Sequence, residues 1–160
     1  MNGKSIEIMA PAGSWESLHA AIQGGANSIY FGIEQLNMRA KSSNNFTLKD
    51  LVEIAKIGNQ HKIKTYITLN TIIYDHDLTL MKKIVTTAKK AEITAIIASD
   101  QAVISFASSI NMEVHISTQT NITNLETIRF YSHFADVVVL SRELSLGQVK
   151  EMTNEINKQQ

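Results

Sequence analysis

No cysteine occurs among the 160 residues, and proline occurs once. Without cysteine the chain by itself forms no disulfide, holds no thiolate-ligated iron–sulfur cluster and has no cysteine nucleophile. With so little proline and no low-complexity stretch, nothing marks a linker, so residues 1–160 are read as one unit without an internal boundary. An excess of one charge is also missing. Fifteen Lys and Arg balance fifteen Asp and Glu, which removes the global field that draws proteins to nucleic acid or anionic membranes. No run approaches the ~20 apolar residues of a membrane span, and "MNGKSIEIMAPAG" lacks the apolar core and cleavage site of a signal peptide. The expectation is a soluble cytoplasmic protein without membrane contact. The five histidines form no HExxH and no close pair on one helix face, so no metal site is expected.

What is present is alternation. Short β-rich apolar runs at 6–10, 28–32, 63–70, 93–99, 112–118 and 135–140 are separated by amphipathic stretches. Ser14 caps the first helix, which stops at Gly24 or Gly25. Thr47 and Asp50 open a second helix over 48–60 that places Leu48, Leu51, Val52, Ala55 and Ile57 near one face. Further helices are predicted over 77–91, 101–109 and 123–133, and Ser145 with Gln148 caps the last. Strands joined by helices run parallel. Six units in 160 residues would complete an open sheet, whereas a (β/α)₈ barrel takes ~250 residues. Polar residues at nearly every strand end favour the barrel, in which all those ends converge on one mouth. The predicted fold class is therefore α/β: a parallel, TIM-barrel-like (β/α) array with about six of eight units, an incomplete barrel.

The stretch "VHISTQTN" (114–121) concentrates the candidate chemistry. Side chains alternate along a strand, so His115, Ser117 and Gln119 are expected on one side, facing the mouth. Asn70, Asn121 and Gly13 also lie at strand ends, Gly13 where backbone amides at a helix start could cradle an anion. Arg39, on the long second loop, and Arg142 read either as solvated cations or as forks for a carboxylate or phosphate. Glu7 sits in an apolar run, where a carboxylate is either solvated at an exposed end, or faces the barrel interior and pairs with an arginine or hydrogen-bonds the site. Asp100 is a general base or, more simply, a helix cap.

Taken together, "EIMAPAGSWESLHAAIQGGANSIYFG", "LNMRAKSSNNFT", "HISTQTN" and "SRELSL" resemble, in this order, the N-terminal barrel of the collagenase-like peptidases, the thirty-second family of unknown catalytic type. The resemblance covers essentially the whole chain. It implies a TIM-barrel-like catalytic domain from a family named for protease activity, several of whose members hydroxylate a tRNA wobble uridine, an rRNA cytidine or a quinone ring. Glu7, Arg39, His115, Ser117, Gln119, Arg142 and Glu143 fall on the motif positions, with His115, Arg142, Glu143 and Glu7 as catalytic candidates and the others as pocket lining. An iron–sulfur cluster is implied for full-length members, held by cysteines beyond the "RELSL" segment; this chain carries none. The implied ligand is RNA or a small anion. The expectation is also a fragment, a truncated protein or half of an assembly, whose open sheet edges invite pairing with another copy.

Overall fold

The computed structural model describes residues 6–37 and 45–157. Strand and helix alternate: β1 (Met9–Pro11), α1 (Trp15–Gln23), β2 (Ser28–Gly32), α2 (Leu48–His61), β3 (Lys64–Leu69), α3 (Leu78–Lys90), β4 (Ala95–Ala98), α4 (Gln101–Ser109), β5 (Val114–Ile116), α5 (Leu125–Tyr131), β6 (Val137–Val138) and α6 (Leu146–Asn157). The strands pair in parallel in the order β1-β2-β3-β4-β5-β6. Each strand thus lies beside its predecessor. A doubly wound sheet reverses its order at a switch point; this one never does, and right-handed crossovers then put every helix on the same face.

Burial follows that arrangement. Ile29, Phe31, Ile67, Leu69, Ile96, Ala98, Val114 and Ile116 alternate along four strands and join Leu18, Leu51, Ile54, Met81, Ile84 and Val103 of the helices in one apolar core. The intervening residues, among them Tyr30, Tyr66, Ile97 and His115, belong to the other face. There, side chains from alternate strands meet. The Tyr66 hydroxyl of β3 donates to Glu7 Oε1, just before β1, at 2.7 Å, and the Tyr66 and His115 rings lie 5.0 Å apart across β4. Contacts between alternate strands are the layering of a barrel interior. The sheet is open, with β1 and β6 at its edges.

Local sequence accounts for the helix ends. Ser14 Oγ accepts from Ser17 N while Ser17 Oγ accepts from Ser14 N, and Thr47 and Asp50 close the same reciprocal box. Gly25 takes a φ of 80° after α1, the left-handed turn that glycine adopts without penalty. One helix face differs from expectation. Val52 is 50% exposed, and the buried set of α2 is Leu51, Ile54, Ala55 and Gly58. That set follows i, i+3, i+4, i+7, whereas Val52 is turned ~100° from Leu51.

The loop after β2 is tied back onto the strand end. Glu34 N donates to Phe46 O at 2.9 Å, and Phe46 meets both Trp15 and Phe31 edge-to-face at 5.5 and 5.9 Å. Asn37 Nδ2 donates to Asn45 Oδ1 and Glu34 O. The Asn37 amide also occupies the space a side chain on Gly32 would need, 2.4–2.8 Å from an ideal Cβ there. Gly32→Ala is therefore expected to expel Asn37 and lower stability by about 1–3 kcal/mol, read from the urea midpoint. An unchanged midpoint would mean that Asn37 repacks without cost.

Candidate functional site

At the carboxyl ends of the strands the uncovered face opens into a cleft of about 470 Å³. Its floor is apolar and comes from the strands: Met9, Pro11, Tyr30, Ile97 and Val139. Its polar lining comes largely from the steps that follow the strands, with Gly13, Asn70, Ser117, Gln119 and Arg142, joined by Asn37 and by Thr68 of β3. This is where ligands bind in parallel α/β folds.

Five sequence-derived candidates are thereby brought together: Gly13, Asn70, Ser117, Gln119 and Arg142. Ser117 is held most firmly. Its amide donates to Ala98 O at 2.7 Å, its Oγ accepts from Gln119 N at 3.3 Å, and the residue is 2% exposed. β5 ends at Ile116, and a 3-10 turn over Thr118–Thr120 follows. Gln119 therefore reaches the cleft through a turn and not through strand alternation. Arg142 is exposed at the rim and makes no hydrogen bond or ion pair among the described residues.

The remaining candidates lie elsewhere. Both Asp100 oxygens are engaged: Oδ1 accepts from Ala102 N at 2.8 Å and Oδ2 from Ile73 N at 3.2 Å, so the carboxylate caps α4 and pins the β3–α3 loop. Asn121, at φ 50°, ends the 3-10 turn and is exposed. The exposed Glu143 carboxylate accepts from Ser141 Oγ. That bond, the Glu143 backbone amide and the Arg142 charge hold it below the usual carboxylate range, against a small opposing effect of burial. Arg39 lies outside the described residues.

Glu7 and His115 sit on the same face as the cleft but do not line it. Glu7 accepts from Lys64 Nζ and from the Tyr66 hydroxyl, each at 2.7 Å; the partner is thus a lysine and a phenol, not an arginine. His115 Nε2 lies 2.8 Å from Glu113 Oε1. Burial pushes the Glu7 carboxyl up, but the bonds from Lys64 and Tyr66, the nearby Ser28 hydroxyl and the Lys64 charge outweigh it and hold the pKa at about 2. The Ser28 Oγ is itself buried and closes no well-aligned hydrogen bond among the described residues. Burial, followed by donation to Glu7, pushes the Tyr66 hydroxyl up.

This linkage has a definite sign. A carboxyl depressed on folding stabilises the fold above its unfolded pKa, and that contribution is lost as pH falls from about 4.5 towards about 2. The Glu7 side chain is 33% exposed, so solvent screening reduces the effect to about 1 kcal/mol. Urea midpoints for the wild type and Glu7→Gln are expected to differ at about pH 7 and to converge as pH falls to about 2. A gap that persists in acid would show that Glu7 acts through packing alone.

Tyr30, Thr68 and Asn37 also line the cleft and were not singled out from sequence. The alternation Ser28–Tyr30–Gly32, opposite the apolar Ile29 and Phe31, was the available signal for Tyr30. Nothing local signals Asn37, which is placed by its fit against Gly32.

The sequence profile of Peptidase family U32 matches residues 13–159. A Porphyromonas gingivalis protein named "Collagenase" is 59% identical over 150 residues, covering 94% of this chain and 36% of that protein. The Bacillus subtilis "tRNA hydroxylation protein P1" is 28% identical over 165 residues, covering 98% of this chain and 39% of that protein. The chain thus spans well under half the length of these relatives. Among solved structures, the U32 peptidase Mk0906 superposes with a TM-score of 0.72 at 10% identity, over 95% of this chain and 67% of that one, a likeness of fold.

Proposed function

Because the chain belongs to peptidase family U32, we propose that it forms the substrate-binding part of a barrel acting in RNA base hydroxylation. The observation that carries this reading is the chemistry of the cleft: among the described residues, amides, hydroxyls and the Arg142 guanidinium above an apolar floor. Such a set binds and orients a polar planar group. Among the described residues it shows no nucleophile paired with a base. No histidine or lysine side chain hydrogen-bonds a serine hydroxyl among the described residues, and Asp100 is consumed by capping. Relatives named for tRNA hydroxylation and for 23S rRNA 5-hydroxycytidine synthesis match over most of the chain.

A thiolate-held iron–sulfur cluster does not fit the residues present, since the chain has no cysteine and the cleft offers amides, hydroxyls and a guanidinium. What these residues supply is binding and orientation. A peptidase is the second reading, favoured by the 59% identity to the protein named "Collagenase". Disrupting the gene and digesting total tRNA and rRNA for nucleoside mass spectrometry separates the two. The expected result is loss of a hydroxylated pyrimidine, restored by the intact gene. Unchanged nucleosides with lost gelatin cleavage would establish the peptidase.

A further inference from the structure

We propose that the cleft holds a planar heteroaromatic ring, with Tyr30 against its face and the Ser117 hydroxyl donating to one of its ring carbonyls. The inference rests on the RNA reading and extends it to the part of the base that is recognised.

The edge contact starts from an unspent donor. The Ser117 oxygen is pinned at the head of a 3-10 turn, where it accepts from Gln119 N. Its proton has no acceptor among the described residues, although the residue is 2% exposed and lines the cleft. A buried hydroxyl that keeps its proton unpaired is costly. A ligand that presents an acceptor there removes the cost, and one that presents a donor does not. Ser117 is thus a filter for carbonyl oxygen. Sites of this kind discriminate strongly, because a ligand without the matching group leaves a buried polar atom unsatisfied.

The face contact comes from the floor. Tyr30 is half-buried on the inner side of β2, with Pro11 of β1 and Tyr66 of β3 as its register partners. Together with Ile97 and Val139 it presents an apolar surface below the polar rim. The backbone groups of β2 to β5 are spent on the sheet ladder, so the central part of the floor offers an extended peptide no main-chain partners. A flat ring needs none. Stacking a base on an aromatic side chain contributes about 1–3 kcal/mol, and Arg142 at the rim suits an attached phosphate.

The test is titration of the chain with uridine 5′-monophosphate, followed by backbone amide shifts. The expected result is saturable movement of the Ser117 and Gln119 signals, and about tenfold weaker binding by Ser117→Ala. Thio-substituted ligands guard against a merely misfolded variant, since sulfur is a poorer acceptor. Either the 2-thio or the 4-thio analogue should bind the wild type more weakly while matching the parent nucleotide on Ser117→Ala. Dihydrouridine 5′-monophosphate, which keeps both carbonyls but loses planarity, should bind less well than the parent, and Tyr30→Leu should abolish that difference. Equal binding of all these ligands to the wild type would overturn the proposal, as would saturation by a Gly-Pro-Gly peptide and not by the nucleotide. Nucleotide binding with unchanged cellular nucleosides would leave this inference standing and remove the hydroxylation reading.

Discussion

Phe31→Ala is expected to cost about 3–5 kcal/mol of stability, enough to remove much of the 5–15 kcal/mol typical of a small domain. Phe31 is 2% exposed near the carboxyl end of β2 and belongs to the apolar core shared with the helices. Its removal takes away both the transfer free energy of the ring and its edge-to-face contact with Phe46. Phe46 is also the anchor of the β2–α2 loop, through its bond to Glu34 and its contact with Trp15. The same substitution should therefore loosen the segment that carries Asn37 into the cleft. Urea denaturation measures the first effect, and Phe31→Leu, which keeps most of the volume, should cost under about 1.5 kcal/mol. A loss below about 1 kcal/mol for the alanine variant would show that the loop and core collapse onto the space without penalty.

Arg142→Ala should act in the opposite way, with a large effect on activity and little on the fold. Arg142 is exposed and makes no hydrogen bond or ion pair among the described residues, and such surface changes usually stay within about 0.5 kcal/mol. A guanidinium at the mouth of the cleft that meets a phosphate or carboxylate through charge-assisted bonds contributes about 1.5–3 kcal/mol. If the proposed hydroxylation reading holds, complementing the disrupted gene with Arg142→Ala is expected to lower formation of the hydroxylated nucleoside by about 10- to 100-fold, with an unchanged circular dichroism spectrum. Full restoration of the modification would reduce Arg142 to a solvated surface cation.

The divide between what local sequence reveals and what it hides is physical. The caps at Ser14 and Thr47 are legible because both partners of each lie within one turn. β2 is legible to the residue, since its apolar run is bounded by Asn27 and the loop after Gly32. Parallel order follows from the alternation of strands and helices. The Glu7 pairing is not legible, because Lys64 and Tyr66 stand 57 and 59 residues away and only the concave face brings them together. The Gly32–Asn37 fit depends on a loop path that no periodicity encodes. Gln119 reaches the cleft although the strand has ended, because a 3-10 turn re-aims the chain.

The nearest-neighbour strand order bears on biosynthesis. As the polypeptide leaves the ribosome amino end first, each new strand meets a docking edge already made, and growth of the sheet can keep pace with translation. The carboxylate of Glu7 is the exception. It emerges early and waits, solvated, until the third strand delivers its ammonium and phenol, so the first strand is locked only after more than fifty further residues have been made.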